Sequence, residues 1–205
     1  YYSFGMIRAE VKCNSLTRAG AEPLFRQNAI LVLNEVINQI LLMRMPQRPR
    51  SRVIFGKIAG GHKHGLIAYN AALGFEIQSD SDEMVRQIFR EITDIVNGIR
   101  YEQGVELELS TISNLHATRL EYGHPLVKSV FDIMKRLDLS PVSSPSESEL
   151  SIFLSHHIPA VTLGITRGKN YHLKGSTMEI DPMFKVLSQV IGAIQAIDQG
   201  VCDGA

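Results

Sequence analysis

The sequence has few cysteines, no net charge and no long hydrophobic run, and each absence argues against a class of protein. Its two cysteines, Cys13 and Cys202, stand near opposite ends of the 205 residues. They form neither a disulfide framework nor the spacing of a zinc knuckle, so we expect a reducing, cytoplasmic compartment. The 21 basic and 21 acidic residues cancel. The overall charge therefore gives no reason to expect a nucleic-acid or membrane partner.

The longest apolar run, Ala29 to Leu33, is far shorter than the roughly 20 residues that a membrane span requires. No signal peptide is visible either. The hydrophobic content of 44% is typical of a globular protein. Because the chain starts at Tyr1 instead of Met and runs almost directly into a strand pattern, we expect it to be a piece of a longer polypeptide.

Residues 1 to 115 carry hydrophobic patterns in the order β-α-β-β-α-β. Apolar residues alternate in the strand segments and recur every three or four positions in the helical ones. The predicted strands cover residues 7–13, 53–59, 67–77 and 105–113, and the predicted helices cover 28–43 and 84–101. This order is typical of the ferredoxin-like fold, in which two helices cover one face of a four-stranded antiparallel sheet.

From residue 116 onward the patterns predict only part of an α/β layer. A helix from residue 124, a Ser/Pro-rich loop and a short helix at 149–155 precede an apolar, β-branched strand at Ile158–Gly164. Asp181 as N-cap and Pro182 open a last helix, whose apolar residues are Phe184, Leu187, Ile191 and Ile194. One strand cannot bury its neighbours alone, so this region requires a sheet from elsewhere.

His172 lies in the polar loop between this strand and the last helix. A strand, an irregular loop with an imidazole and a returning helix are a common way to build a site at the end of a sheet. A single loop histidine is also often a surface residue without a function. From the loop alone, both interpretations stay open.

Several motifs, taken in order, resemble one enzyme family. They are the Gly60-Gly61 turn, the long strand that ends at residues 76–80, the segment Pro145 to Leu150, the strand Ile158–Gly164 and Asn170-Tyr171-His172. In order and spacing they are similar to the zinc-dependent metallopeptidases and amidohydrolases related to peptidase T, carboxypeptidase G, aminoacylase, acetylornithine deacetylase and succinyl-diaminopimelate desuccinylase. The resemblance covers nearly all of the chain. It implies that residues 1–115 form a ferredoxin-like lid and dimerisation domain, and that residues 116–205 form the C-terminal portion of an α/β catalytic domain.

The resemblance also implies a two-zinc hydrolase that cleaves peptide or N-acyl amide bonds and forms a homodimer through the lid. In such an enzyme a metal lowers the pKa of a bound water and polarises the carbonyl, while a glutamate takes the proton. His172 matches the last zinc ligand of the family. The other ligands and the glutamate belong to an N-terminal half that nothing in this sequence matches, so we expect this chain alone to be inactive and not to retain zinc.

Three lid positions depart from the family pattern. Thr17 stands where the family commonly has a histidine, Gly65 where it has an asparagine, and Gln78 where it has an arginine. A hydroxyl cannot replace a cationic imidazole at an oxyanion, and an amide cannot give the bidentate grip of a guanidinium on a carboxylate. A non-catalytic dimerising or regulatory module that descends from the family is therefore the alternative function.

Other chemically active side chains have weaker interpretations. His62 and His64 form a His-Lys-His turn that is either solvated or able to hold a metal. Glu147 and Glu149 either face the site or stand at a helix N-terminus. The arginine-rich link 45–52 favours nucleic acid only weakly, because the sequence lacks paired aromatic residues on a sheet face for stacking bases.

Overall fold

The computed structural model describes residues 1–15, 28–146, 149–170 and 174–203. The chain divides into two compact units, which are described separately. The insert unit is Phe4–Ala117, and the C-terminal unit combines Tyr1–Ser3 with Thr118–Ala205. The sequence patterns change at residue 115, and nothing in them indicates that Tyr1–Ser3 belongs with the later residues.

The insert unit is a ferredoxin-like βαββαβ fold, as its sequence patterns predict. Strand β1 (Tyr2–Ser3) belongs to the C-terminal unit. The elements of the insert unit are β2 (Gly5–Asn14), α1 (Ala29–Leu42), β3 (Ser51–Gly60), β4 (Asn70–Ser79), α2 (Asp82–Gln103) and β5 (Glu106–Leu115). Its four strands pair in the order β3-β4-β2-β5, and all neighbouring pairs are antiparallel.

The core of the insert unit lies between the sheet and its two helices. The alternating apolar residues of β2 face those of β4, and Ala9 pairs with Phe75 while Val11 pairs with Leu73. The buried stripe of α2 consists of Val85, Ile88, Ile92, Val96 and Ile99. The period of two in the strands and the period near 3.6 in the helix bring these side chains to one layer.

Helix α2 begins and ends at residues suited to these positions. The Ser81 hydroxyl accepts a hydrogen bond from the Met84 amide at 3.4 Å, and Asp82 and Glu83 occupy the first turn, near the positive end of the helix dipole. Gly104 ends the helix at φ 63°, a left-handed conformation that glycine adopts without steric cost.

Strand β4 starts later than its hydrophobic pattern predicts. Alternation begins at Ile67, but the strand begins at Asn70. The last residue pair between β3 and β4 is Gly60 with Ala71, because β3 ends there. Residues before Asn70 thus have no residue of β3 opposite them, and a period-two pattern alone cannot show where the partner strand ends.

The C-terminal unit is mostly helical. A parallel bridge joins Ser3 to Ser146. No helix in the described part of the chain is both long and apolar enough to cross a membrane. The elements of the unit are β1 (Tyr2–Ser3), β6 (Thr118–Arg119), α3 (Pro125–Arg136), α4 (Leu150–Ser155), β7 (Gly168–Lys169), β8 (Thr177–Met178) and α5 (Asp181–Asp198).

The predicted strand Ile158–Gly164 is wrong for the described residues, which contain no strand there. Val161 and Leu163 still turn toward the core of the unit, while Ile158 is 51% exposed. The residues therefore keep the alternation of a strand. A strand also requires a neighbouring strand for its ladder, and none of the strands in the described ranges pairs with this segment.

The predicted apolar face of the last helix is also not its buried face. Helix α5 buries Val186, Gln189 and Ala193 and packs against α3. The four apolar residues of the predicted stripe are exposed: Phe184, Leu187, Ile191 and Ile194. The predicted cap is shifted as well, since Ile180 is the N-cap and Asp181 is the first helical residue.

Candidate functional site

The sequence candidate for a metal ligand, His172, lies outside the described residues, and its flanking residues form a small hairpin. Strands β7 and β8 pair antiparallel, with Gly168 opposite Met178 and Lys169 opposite Thr177. The Glu179 amide extends this pairing by donating to the Arg167 carbonyl at 2.9 Å. The described ends of the loop that carries His172 are thereby held next to each other.

The described residues do not supply the rest of a metal site. Across the ranges 1–15, 28–146, 149–170 and 174–203, no group of three or more His, Cys, Asp or Glu side chains is placed to hold a metal ion. A zinc site requires three or four protein ligands. The described side chains alone therefore do not fit a zinc centre.

Two of the three atypical lid positions are described, and Thr17 lies outside the described residues. Gly65 stands in the exposed turn between β3 and β4 at φ 81°. This backbone conformation is one that asparagine also adopts, but with more strain than glycine. The turn at this position is therefore compatible with loss of the side chain.

Gln78 lies at the centre of a polar network on the insert unit. Its side chain is 5% exposed, and its amide nitrogen donates to the Glu76 carboxylate. Its amide oxygen accepts from Arg52 Nε at 2.7 Å. Arg8 donates to the same Glu76 carboxylate through Nε at 3.1 Å and Nη2 at 2.8 Å. The network Arg52–Gln78–Glu76–Arg8 thus links strands β3, β4 and β2.

The network places a guanidinium beside the position where the family pattern has one. Arg52 is directly opposite Gln78 in the register of β3 and β4, and its guanidinium carbon lies 5.8 Å from the centre of the Phe4 ring. The sequence pattern assigns Arg52 to the arginine-rich link 45–52, but Arg52 is the second residue of β3. The sequence does not specify the strand register, so it does not show that Arg52 is the neighbour of Gln78.

An open groove of about 770 Å³ lies at the other end of the sheet of the insert unit. It is bordered by the Gly60-Gly61 turn and by charged or polar side chains of both signs, namely Lys12, His62, Arg100, Glu106 and Glu108. His62 is therefore a groove residue, and no metal cluster forms around it or His64 within the described ranges.

The glutamates of the loop before α4 are only partly described. Glu147 lies outside the described residues, whereas Glu149 is the N-cap residue of α4. Its side chain makes no capping hydrogen bond and is exposed. Of the two interpretations of Glu149, the structure therefore agrees with the position at a helix N-terminus.

Comparison with known proteins finds similar structures but no similar sequence. No protein-family model matches the chain, and no curated protein matches it. The tripeptidase of Staphylococcus aureus superposes with a TM-score of 0.74 at 20% identity, over 96% of this chain and 52% of its own. The aminopeptidase PepT of Bacillus cereus superposes with a TM-score of 0.72 at 15% identity, over 96% and 53%.

A third superposed structure is described as a member of a named peptidase family. The YxeP protein of Bacillus subtilis, described as a dinuclear metal binding peptidase of the M20 family, superposes with a TM-score of 0.59 at 15% identity, over 96% of this chain and 50% of its own. This chain has the fold of the M20 peptidases. The metallopeptidase and amidohydrolase resemblance seen in the sequence is confirmed at the level of the fold. The chain spans about half the length of each of these three proteins.

Proposed function

We propose that this chain supplies the lid and the C-terminal part of the catalytic domain of a zinc-dependent hydrolase that cleaves peptide or N-acyl amide bonds. One observation carries the proposal: 96% of the chain superposes on about half of a dinuclear metal binding peptidase. The tripeptidase and the aminopeptidase with the same fold support a short peptide as the substrate. An N-acyl amino acid is the other substrate that the sequence resemblance implies. We keep the cytoplasm as the proposed compartment.

The proposal assigns one metal ligand to this chain and the other catalytic groups to a polypeptide outside it. We propose His172 as a zinc ligand because the motif Asn170-Tyr171-His172 matches the last zinc ligand of the family that the sequence resembles. The described residues hold no cluster of further ligands. The chain by itself is accordingly proposed to be inactive, and activity is expected only with the metal-binding half of the fold.

The experiment that tests this function uses the complete reading frame in which the chain is encoded. Zinc content by elemental analysis and hydrolysis of a tripeptide and of an N-acetyl amino acid are measured on the purified product, on His172→Ala and on His64→Ala. We expect about two zinc ions per chain, as in other two-metal hydrolases, with both zinc and hydrolysis reduced by His172→Ala only. Equal losses in both variants, or none in either, would contradict the role of His172.

We also propose a homodimer through the insert unit. Strand β3 is ten residues long and forms one edge of the sheet, and an edge strand offers backbone groups to a second chain. Helix α1, which precedes β3 in the chain, exposes four large apolar side chains, Ile30, Leu31, Leu41 and Leu42. A twofold axis along such an edge would pair β3 with its copy and bury apolar residues of both helices.

The dimer is tested by light scattering with one variant on each helix. Leu42 is 82% exposed on α1, and Tyr101 is 90% exposed on α2, so an acidic residue at either position leaves the fold intact. We expect Leu42→Glu to convert a dimer into a monomer and Tyr101→Glu to leave the dimer unchanged. A wild-type protein that is monomeric at micromolar concentration would rule the dimer out.

A non-catalytic dimerising or regulatory module remains the second candidate. Gln78, which replaces the arginine of the family pattern, uses its amide within the polar network, and Gly65 has no side chain to offer a ligand. The same experiments separate the two functions. The second candidate is supported if the complete product is a dimer that binds no zinc and hydrolyses neither substrate.

A further inference from the structure

A cavity of about 250 Å³ lies within the C-terminal unit. It is lined by helices α3 and α5, by Tyr1 and by the loop segments 141–146 and 161–164, and we call it the α3–α5 cavity. The Ser146 and Thr162 hydroxyl groups lie 3.2 Å apart and join the two loop segments. All of its described lining residues belong to this one unit, so the cavity is a feature of the unit itself.

Gln189 is a polar residue on the buried face of α5. It lines the cavity, is 2% exposed and shares this face with Val186 and Ala193, because residues three or four positions apart lie on one side of a helix. Its carboxamide takes part in no hydrogen bond with the residues that the structure describes. Buried amides in folded proteins almost always have a partner, so this one calls for an occupant of the cavity.

Water alone fits the cavity poorly. Its volume equals roughly eight water molecules at about 30 Å³ each, and every buried water needs two to four polar partners. The hydroxyl groups of the lining stand on the loop segments, whereas the helical wall consists of Gln189 and four apolar residues of α3. These four residues are Val127, Val130, Phe131 and Met134. An occupant with an apolar body and one polar end matches this division.

We propose that the α3–α5 cavity binds a small uncharged carboxamide with an aliphatic body, and that Gln189 recognises its amide group. A primary carboxamide has a donor and an acceptor side by side, as the Gln189 side chain does, so the two groups form a pair of hydrogen bonds. The aliphatic body lies against the α3 wall. Asp, Glu, Lys, Arg and His are absent from the described lining, so a charged ligand would be buried without a compensating charge.

The inference goes beyond the proposed hydrolase function and does not rest on it. Gln189 and the α3 wall stand apart in the sequence from the loop that carries His172, and no metal or hydrolytic step enters the argument. The site is therefore a binding site of the C-terminal unit, whatever reaction the complete protein performs.

Three probes of nearly the same shape test the proposal on the complete gene product. Isovaleramide carries the carboxamide, methyl isobutyl ketone has a methyl group in place of the amide nitrogen, and isovalerate carries a charge. Dissociation constants are measured by saturation-transfer difference NMR. We expect isovaleramide to bind about tenfold more tightly than the ketone, because only the amide can donate to Gln189. Isovalerate is expected to show no saturable binding.

Substitutions in and near the cavity show where the probes bind. Gln189→Leu is expected to abolish the preference for the amide over the ketone and to raise the melting temperature, because it removes a buried amide without a partner. Gln195→Leu, on the exposed side of the same helix, is the matched control and is expected to keep the preference. Val161→Phe fills part of the cavity and leaves Gln189 in place, so we expect it to weaken the amide and the ketone alike, several-fold each.

Four results would overturn the proposal. They are equal dissociation constants for the amide and the ketone, an undiminished preference in Gln189→Leu, unchanged binding of both probes in Val161→Phe, and no saturable binding of any probe. The last result would mean that water alone occupies the cavity. Amide binding that depends on Gln189 in a product without zinc or hydrolysis leaves this inference standing and removes the proposed function.

Discussion

Gln78 stabilises the insert unit through an amide that is almost fully buried. The carboxamide accepts from Arg52 and donates to Glu76, so that one side chain joins residues of two strands. Burial without these partners would be costly, because a polar group that loses water must regain a hydrogen bond. The identity of the residue therefore follows from its neighbours in the sheet, and a missing arginine does not by itself mean a missing function.

Truncation of this side chain tests the network. Gln78→Ala removes a partner from both Arg52 and Glu76, and we expect it to lower the free energy of unfolding by about 1 to 3 kcal/mol. Gln87→Ala is the matched control, since Gln87 donates to Glu91 on the exposed face of α2 and its loss should cost about 0.5 kcal/mol or less. Urea denaturation measures both, and equal effects would show that the network contributes nothing.

A second prediction concerns the ionisation of one buried side chain, the Cys13 thiol. Burial raises the pKa of the Cys13 thiol from 9.0 to about 11, so the folded state disfavours the thiolate. The stability that depends on the neutral thiol is fully present below pH 9 and is lost as the pH rises to 11, because the unfolded chain releases its proton first.

The measurement is the melting temperature between pH 8 and pH 11.5 for the wild type and for Cys13→Ala. Tyrosine and lysine residues titrate in the same range, so only the difference between the two curves reports on Cys13. We expect the wild type to lose more stability than the variant across this range. Parallel curves would contradict a raised pKa.

Helix α2 allows a prediction that depends on backbone conformation alone. Gly98 is inside the helix with open space around its Cβ position, whereas Gly104 ends the helix at φ 63°. We expect Gly98→Ala to stabilise the protein by about 0.5 to 1 kcal/mol, and Gly104→Ala to destabilise it by roughly 1 kcal/mol. Thermal unfolding followed by circular dichroism measures both, and the same sign of change in the two variants would refute this assignment.

The fold of the insert unit could be predicted from its sequence, because the hydrophobic patterns of its strands and helices are consistent with one another. The alternation in β2 and β4 and the stripe of α2 all point to one core, and every strand has its partners within the described unit. The C-terminal unit follows less well. Periodicity identifies the segment 158–164 as strand-like and α5 as a helix. Because α5 has apolar residues on two faces, periodicity does not show which of these faces packs against the rest of the chain.

The candidate site was predictable only in outline. The order of the motifs indicates the fold and draws attention to His172, Gly65 and Gln78. The contact between Gln78 and Arg52 depends on the register of β3 against β4. The register depends on where the connecting loop begins and ends, and the sequence pattern does not specify these residues. Site chemistry that arises between strands is thus invisible until the strands are aligned.

At the scale of the whole molecule, the two units differ in how complete they are. The large hydrophobic cluster lies entirely within Phe4–Ala117, whereas the smaller cluster belongs to the C-terminal unit, where large apolar side chains of α5 are exposed. We expect a polypeptide of residues 4–117 to fold alone and unfold in one cooperative transition.

Circular dichroism and a hydrophobic dye measure this difference between the units. Residues 118–205, which lack Tyr1–Ser3, are expected to bind the dye strongly and to melt without a sharp transition. A broad, non-cooperative melt of residues 4–117 would show that the insert unit depends on the rest of the chain.

The chain leaves the C-terminal unit at Ser3 and returns to it at Thr118. These two residues are ladder partners in β1 and β6, and their hydroxyl groups lie 2.8 Å apart. The two ends of Phe4–Ala117 therefore join the C-terminal unit at a single residue pair. Closely spaced ends of this kind are what allows a whole domain to be inserted into another chain, or removed from it, without moving the residues on either side.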